Sequence, residues 1–181
     1  MADLPRSQLR LADLATRRAT AFTLEPSADE RRAVAEALGI TGVKKLRFAG
    51  QLEPVGRQDW RLQADLGATV VQDCVVTLDP VSTRIDETVM RSYLADLPEP
   101  EAGETEMPED DTADPLPAVI DLVEVMIEAL ALALPLYPRA PGADLGDAVF
   151  AEPGVAPMTD EDAKPFAGLG SLRDALNKKE E

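Results

Sequence analysis

Apolar and polar residues alternate along much of the N-terminal half of the chain. In KKLRFAGQLEPVG, residues 44–56, every second residue from Leu46 to Leu52 is apolar or glycine, and most residues between them are polar. The stretch DWRLQADLGATVVQD, residues 59–73, repeats this pattern. A period of two predicts strands with one buried face. The Pro-Val-Gly sequence at 54–56 predicts the turn of an antiparallel hairpin between them.

Two further segments have the composition of strands. Residues 17–26, RRATAFTLEP, predict a short strand, and residues 83–96 predict a longer one. Between the hairpin and this last strand, Cys74, Val76 and Leu78 alternate with other residues. We expect these three side chains to share one side of a continuing strand, which the following Asp-Pro pair would end.

The first predicted helix is marked at both of its ends. Ser27 is followed three residues later by Glu30, which is the signature of a capping box. Gly39 is a typical residue just beyond a helix C-terminus. The sequence therefore predicts a helix over residues 28–38.

Two more helices are predicted in the C-terminal third. In residues 118–138, AVIDLVEVMIEALALALPLYP, the acids Asp121, Glu124 and Glu128 fall in one narrow stripe, so we expect a helix that is mostly buried. Residues 164–179 predict a short amphipathic helix, because four apolar residues recur at spacings of three and four. These residues are Phe166, Leu169, Leu172 and Leu176.

Together these patterns predict an α+β fold. We expect an antiparallel sheet, strongly curved or barrel-like, packed with two to three helices. Residues 1–95 would form the strand-helix-hairpin region and its sheet. Residues 96–118 would form an acidic, proline-rich and mobile loop, because like charges repel and little apolar surface can be buried. Residues 119–181 would supply the apolar helix, an irregular segment and the C-terminal helix, all within one domain.

Charge is distributed unevenly along the chain. The net charge is −16, yet residues 1–61 carry 11 basic and 8 acidic residues. A protein that binds nucleic acid over its whole surface would be basic, so an RNA contact is expected only in the N-terminal third. The acidic remainder suits solubility or a basic protein partner. The candidate RNA-contact residues are Arg17, Arg18, Lys44, Lys45 and Arg47.

The composition removes most kinds of catalytic site. The chain has no histidine and one cysteine, so Ser-His-Asp catalysis and cysteine-histidine zinc sites are excluded. No phosphate-binding glycine loop is present. The acidic run at 109–114 lacks the glycine and the final glutamate of a calcium loop. Cys74 is expected to be a buried, unreactive thiol with no low pKa. We therefore predict no catalytic residue, metal, cofactor or small-molecule substrate.

No segment has the length and apolarity of a signal peptide or a membrane-spanning helix. The first residues, MADLPRSQLRLADLATRR, contain no long apolar run. No window of the chain reaches about 18 apolar residues, which is the usual lower bound for a spanning helix. We therefore expect a cytoplasmic protein that does not bind membranes.

Three blocks in order resemble the YceD family of large ribosomal RNA subunit accumulation proteins. They are QDCVVTLDPVSTRI at 72–85, IDLVEVMIEALALALPLYP at 120–138 and KPFAGLGSLR at 164–173. The N-terminal half is similar to the alphaproteobacterial branch. The family-motif positions are Cys74, Leu78, Asp121, Leu122, Leu134, Pro135, Pro138, Pro165, Phe166, Leu169 and Leu172.

The resemblance implies a non-enzymatic role in the accumulation of large-subunit ribosomal RNA. Many members have a second cysteine in the first block, where this chain has Thr77, and others have further cysteines after the position of Pro138. A metal site of such relatives is therefore not expected here.

Three hypotheses about function remain open. The first is a biogenesis factor that binds large-subunit ribosomal RNA or a basic ribosomal protein. The second is a protein-binding adaptor or chaperone for one basic ribosomal protein, with no RNA contact. The third is a hydrolase that uses two carboxylates, which the many acidic residues permit but do not favour, because they cluster in the predicted loop.

Overall fold

The computed structural model describes residues 4–96 and 112–144, together with Gly146, Ala151 and Gly154. The chain divides into two units, residues 1–143 and 144–181. The described residues of the second unit form no helix or strand, and every element below belongs to the first unit. The predicted C-terminal helix, with Pro165, Phe166, Leu169, Leu172 and Leu176, lies outside the described residues.

Seven strands and two α-helices make up the first unit in its described part, together with one turn of 3-10 helix at Leu11–Asp13. In chain order the elements are β1 (Gln8–Arg10), β2 (Thr20–Leu24), α1 (Ala28–Leu38), β3 (Gly42–Val55), β4 (Asp59–Asp73), β5 (Pro80–Leu94), β6 (Ala113–Pro115), β7 (Val119–Asp121) and α2 (Leu122–Ala133). The main sheet has the order β2-β3-β4-β5-β6, and β1 pairs with β7 in a separate two-stranded sheet. The fold is therefore α+β, as predicted.

The β3–β4 hairpin is the centre of the main sheet, and its prediction is confirmed. The two strands pair antiparallel from Gly42↔Val71 to Val55↔Asp59. The turn has the predicted length of three residues but lies two residues later, at 56–58. Gly56 has a φ of 62°, which a glycine adopts without steric strain, whereas Pro54 and Val55 keep extended conformations in β3.

The predicted barrel-like or strongly curved sheet is wrong. A barrel requires the first and last strands of the sheet to pair with each other. Here β2 and β6 stand at opposite ends of a linear order and have only five and three residues. Both are too short to line the 14- and 15-residue strands between them. The sheet therefore stays open.

The segment after β5 contains strands that the sequence did not predict. Ala113–Pro115, inside the predicted acidic loop, forms β6 and runs parallel to β5, so the sheet is mixed and not purely antiparallel. Val119–Asp121 forms β7, and the helix begins only at Leu122. Three-residue strands carry no readable periodicity, and their pairing partners lie far away in sequence.

The main sheet buries one face, which we call the inner face; it carries Phe48, Leu62 and Ile85. The opposite, outer face carries Arg47, Asp65 and Arg84. Both helices contact the core of the inner face. Its largest fully buried side chains from sheet and helices are Val34, Phe48, Leu52, Leu62, Leu66, Val70, Leu122, Met126 and Leu130.

The predicted capping box of α1 is present. The backbone N–H of Ser27 donates to Glu30 Oε2 at 2.7 Å, and the N–H of Glu30 donates to Ser27 Oγ at 3.4 Å. Gly39 ends the helix with a φ of 65°. The helix spans Ala28–Leu38, which confirms the predicted boundaries. These contacts are local, which is why four residues of sequence were enough to predict them.

Asp121 joins the N-terminal strand to α2, and its removal should weaken this connection. Its Oδ1 accepts hydrogen bonds from the N–H of Val123 at 3.0 Å and of Ser7 at 3.2 Å. We expect Asp121→Ala to lower the free energy of unfolding by about 1–2 kcal/mol, the usual effect of losing an N-cap. Urea denaturation measures this loss. Asp121→Asn keeps an acceptor oxygen and should lose less, and equal losses for both variants would contradict the capping role.

Candidate functional site

A β-bulge places two adjacent lysines on the outer face of the sheet. In the β3–β4 ladder Val43 pairs with Val70 and Lys45 pairs with Thr69, so Lys44 is an extra residue. An extra residue interrupts the alternation of faces. Both lysines are exposed, and Lys44 Nζ lies 3.4 Å from Ser82 Oγ on β5. A regular strand would have placed only one of them on this face.

The two lysines border a groove of about 840 Å³ on the outer face. The strands β3, β4 and β5 form its floor, and the segment leading into α1 forms one wall. Its charged lining residues are Glu25, Arg31, Lys44, Lys45, Arg47, Asp65, Arg84, Asp86 and Glu87. Five cations and four carboxylates therefore meet in one depression, in a protein whose net charge is strongly negative.

Ion pairs neutralise some of these groove cations and leave others available. Arg47 Nε lies 3.3 Å from Glu25 Oε1, and Arg84 forms a bidentate pair with Asp86. No carboxylate within the described ranges lies in ion-pair contact with Lys44 or Lys45. Arg31 also has no ion pair within these ranges, but its Nη1 donates to the carbonyl of Pro26 at 2.6 Å. The two lysines are therefore groove cations that an anionic ligand reaches without first breaking an ion pair.

Arg17 and Arg18, the other two candidate RNA-contact residues, lie elsewhere. β2 begins at Thr20, which pairs with Leu52 of β3. Residues that precede β2 therefore lie beyond the Leu52 end of the β2–β3 ladder. This end is seven strand positions from Lys45, which is roughly 23 Å at about 3.3 Å per residue. The fold therefore brings Lys44, Lys45 and Arg47 together and separates them from Arg17 and Arg18.

The family-motif residue Cys74 lies in a tight turn and not on a strand. β4 ends at Asp73, and the N–H of Leu78 donates to the carbonyl of Cys74 at 3.0 Å. The predicted continuing strand through Leu78 is therefore wrong, because alternation over five residues also fits a chain reversal. Leu78 has a φ of 62°, which few non-glycine residues adopt, and its side chain is exposed. The predicted burial of Cys74 is confirmed, since its exposed fraction is 0%.

The thiol of Cys74 is surrounded by hydrogen-bond donors. The N–H groups of Val76 and Thr77 lie 3.4 Å from its Sγ, and that of Ala140 lies at 3.3 Å. Hydrogen bonds from the Thr77 side chain, then from the Ala140 and Thr77 backbone, lower the pKa of Cys74 to about 6, although burial opposes this shift. The sequence had indicated an ordinary thiol because it offered no histidine, and backbone donors leave no sequence signal.

The Cys74 turn also joins two of the family blocks. The N–H of Val75 donates to the carbonyl of Pro138 at 3.0 Å, and Gln72 Nε2 donates to the carbonyl of Pro135 at 3.1 Å. Leu134 is the C-cap of α2, and Pro138 is buried. The motif positions before and after the acidic segment are therefore one structural unit, which holds the end of β4 against the chain that leaves α2.

The groove carboxylate Asp86 does not have the property expected of the general acid in a hydrolytic pair. A general acid of this kind needs a raised pKa. The hydrogen bond from Arg84 lowers the pKa of Asp86, which keeps this carboxyl ionised. Asp65 accepts a hydrogen bond from the hydroxyl of Thr88 at 3.1 Å. Among the residues that the structure describes, no group of three or more metal-ligating side chains is assembled.

Comparison with known proteins identifies the family. A family model described as "Large ribosomal RNA subunit accumulation protein YceD" matches residues 62–173, more than half of the chain. No curated protein and no solved structure matches the chain. Neither helix in the described ranges is long and apolar enough to cross a membrane. The matched region contains the Cys74 turn, α2 and the third sequence block, and the chain therefore belongs to the YceD family of large ribosomal RNA subunit accumulation proteins.

Proposed function

We propose that this protein acts in large-subunit ribosomal RNA accumulation by binding, without catalysis, and that Lys44 and Lys45 contact RNA phosphates. The family name gives the process, and the bulge in β3 carries the proposed contact. It presents two neighbouring ammonium groups at the edge of a groove of about 840 Å³. Such contacts supply affinity and position without reading sequence. We place this activity in the cytoplasm.

The strongly negative net charge restricts this contact to a small part of the surface. Residues 62–181 carry 26 acidic and 7 basic residues, so phosphates should be repelled from much of the surface and bind where the lysines of the N-terminal third are exposed. Arg31 supports binding beside these lysines, because its Nη1 donates to the carbonyl of Pro26 at 2.6 Å and holds the guanidinium at the groove wall. A contact of only two or three phosphates predicts weak, salt-sensitive binding.

Charge reversal at the two lysines tests the proposal. We expect Lys44→Glu with Lys45→Glu to abolish most retention of large-subunit ribosomal RNA fragments at moderate salt. Losing two phosphate contacts should also reduce the slope of log affinity against log salt by about 1.4 for single-stranded RNA. Filter binding or fluorescence anisotropy over a salt series measures both quantities.

The matched control is Arg17→Glu with Arg18→Glu, which changes the net charge by the same amount at the distant end of the sheet. This variant should retain RNA binding within about twofold, because charges beyond a Debye length of about 10 Å are largely screened. If both variants lose RNA binding equally, the loss results from the change in net charge, and a specific contact at the two lysines is contradicted. If the wild type binds no RNA, the phosphate contact is wrong.

The alternative function is an adaptor or chaperone for a basic ribosomal protein, without RNA contact. It is favoured by the acidic remainder of the chain, where residues 62–181 carry 7 basic and 26 acidic residues. Purification of the tagged protein from native cells, with and without ribonuclease, separates the two functions. A ribosomal protein that remains bound after ribonuclease treatment favours the adaptor, and co-purification that needs intact RNA favours the phosphate contact.

A further inference from the structure

Among the residues that the structure describes, one side of β5 is an open sheet edge over most of its length. On that side these residues provide a strand partner for Ser92, Tyr93 and Leu94 alone, which pair with the three-residue β6. The sheet order ends with β6, so residues 81–91 have no strand neighbour on that side within the described ranges. A long edge of this kind presents unpaired backbone N–H and C=O groups that can pair with another segment.

The direction of these backbone groups follows from the β5–β6 contact. The N–H of Ser92 donates to the carbonyl of Thr112 at 2.8 Å, and the carbonyl of Leu94 accepts from the N–H of Leu116 at 2.9 Å. Because backbone groups alternate sides along a strand, all even-numbered residues of β5 direct theirs to the open side. Five such residues lie between Pro80 and Ser92: Ser82, Arg84, Asp86, Thr88 and Met90.

Pro80 supports this assignment of sides. It is also even-numbered, and it pairs with Asp73 of β4 without disturbing the ladder. A proline is tolerated in a strand where its missing N–H would face outward. The side chains of the even-numbered residues lie on the outer face and are exposed, so solvent and partners can reach the edge from there.

A groove of about 590 Å³ lies beside this edge, between β5 and α2. Its apolar lining consists of Val89, Met90, Ala129, Leu132 and Ala133. Met90 is 56% exposed and Leu132 is 79% exposed, although both are large apolar side chains. An edge strand beside a helix is the arrangement in which an added strand gains main-chain hydrogen bonds and places alternate side chains in a groove.

The charges around this groove are predominantly negative. Arg91 is held between Asp114 Oδ2 at 2.9 Å and Glu128 Oε1 at 2.6 Å, so two carboxylates share one guanidinium. Glu87 also lines the groove and is exposed. These four groups sum to −2. Farther along the edge, the pair of Arg84 and Asp86 adds no net charge, and Lys44 beside Ser82 adds one positive charge.

We propose that the open edge of β5 binds an extended, basic segment of a partner protein as an added strand. Basic side chains of this segment would meet Glu87 and Glu128, and its apolar side chains would enter the groove beside Leu132. RNA is disfavoured because its phosphates would approach the same carboxylates. A second copy of the chain is disfavoured because it would bring two sets of these carboxylates together. The proposal does not rest on the RNA contact at Lys44 and Lys45.

The first test uses a synthetic peptide of alternating lysine and valine, about ten residues long to match the open edge. We expect it to bind the full-length protein and to protect the amides of Ser82, Arg84, Asp86, Thr88 and Met90 from hydrogen exchange. A peptide of alternating glutamate and valine should not bind. The lysine peptide with N-methyl groups on alternate residues keeps its charge and loses edge pairing, so it should bind at least about tenfold more weakly, or about 1.4 kcal/mol.

The second test changes the protein. Thr88→Pro removes one outward N–H and should weaken binding of the lysine peptide about tenfold, which is about 1.4 kcal/mol. Thr88→Val is the matched control, because it also lacks the hydroxyl that contacts Asp65 but keeps the N–H, and it should bind like the wild type. Far-ultraviolet circular dichroism checks that both variants fold. The N-methylated peptide tests the same hydrogen bonds on the unchanged protein.

Several results would overturn the proposal. Equal binding of the N-methylated and unmodified peptides would show that the edge is not used. If the glutamate peptide bound as tightly as the lysine peptide, the proposal that the edge selects a basic segment would be wrong. Protection of the five amides in the free protein would mean that the chain itself, or a second copy, already covers the edge. A change in the affinity of the lysine peptide on Lys44→Glu with Lys45→Glu, without a change on Thr88→Pro, would assign binding to the other groove.

Discussion

Replacing Gly50 with alanine is expected to destabilise the protein by about 3 kcal/mol or more, at the upper end of overpacking effects. Gly50 lies in β3 directly opposite Ala64 of β4. An added Cβ would come within 2.5 Å of the Ala64 Cα and still closer to the carbonyl oxygen of Gln63. These are backbone atoms of the central hairpin, so relief requires β3 and β4 to separate, and not merely a rotamer change.

The matched control is Gly67→Ala on the neighbouring strand. A Cβ there would come within 2.9 Å of Arg84 Nη2, which is the end of a flexible side chain that can move aside. We expect a change in the free energy of unfolding of less than about 1 kcal/mol for this variant, as for most surface substitutions. Urea or thermal denaturation of both variants measures the difference. Similar stabilities would contradict the close approach of β3 and β4 at Gly50.

The stability of the protein is expected to depend on pH through Cys74. In the folded state its pKa is about 6, against an ordinary value of 9.0. Between these pH values the folded protein holds a thiolate while the unfolded chain binds a proton, so stability rises with pH from about 6 to about 9. This contribution is fully present above the unfolded pKa and is lost as the pH falls through the folded pKa. Cys74→Ala should lack this part of the pH dependence.

Thr77→Val tests the physical cause of the shift. The hydrogen bond from the Thr77 side chain makes the largest contribution to the lowered pKa of Cys74, so its removal should raise that pKa toward the ordinary value. Thiolate absorbance in the ultraviolet follows the titration in the folded protein. Thr69→Val, on the outer face of β4, is the control and should leave the titration unchanged. A pKa near 9 in the wild type would contradict the hydrogen-bond network around the thiol.

The hydrogen bonds around Cys74 also lead to an expectation about how fast the thiol reacts. A thiolate is the reactive form of cysteine, yet the Cys74 side chain is 0% exposed. Labelling by a thiol reagent should therefore be slow in the folded protein and should follow the opening of the turn, even above pH 6. Rapid labelling of the native state would show that the turn is open, and the predicted low reactivity would be wrong.

The elements that the sequence predicted well depend on interactions within a few residues. Ser27 and Glu30 are three positions apart, and their reciprocal hydrogen bonds fix the start of α1. The alternation in β3 and β4 is read from each strand alone, since the buried face repeats every second residue. The short strands β6 and β7 were missed because they are defined by distant partners, Ser92–Leu94 and Gln8–Arg10, and not by their own residues.

The candidate site was predictable only in part. The sequence pointed to Lys44, Lys45 and Arg47 but missed the groove cations Arg31 and Arg84. The register of β2 on β3 decides that the other two candidates, at 17 and 18, lie far from Lys45. The bulge at Lys44 has no signature in the sequence, yet it decides that two adjacent lysines share a face. The low pKa of Cys74 needs the N–H of Ala140, which is 66 residues away along the chain.

The sequence by itself determined the class of this protein. With no histidine and one cysteine, the chain cannot build a site that needs histidine or a cluster of cysteines, and three ordered blocks indicate the family. Only the tertiary structure decided which charges act together, what surrounds the thiol and which sheet edge stays open. Composition and periodicity depend on single residues and on their neighbours along the sequence. The charge cluster, the surroundings of the thiol and the open edge arise from strand register and from contacts between residues far apart in sequence.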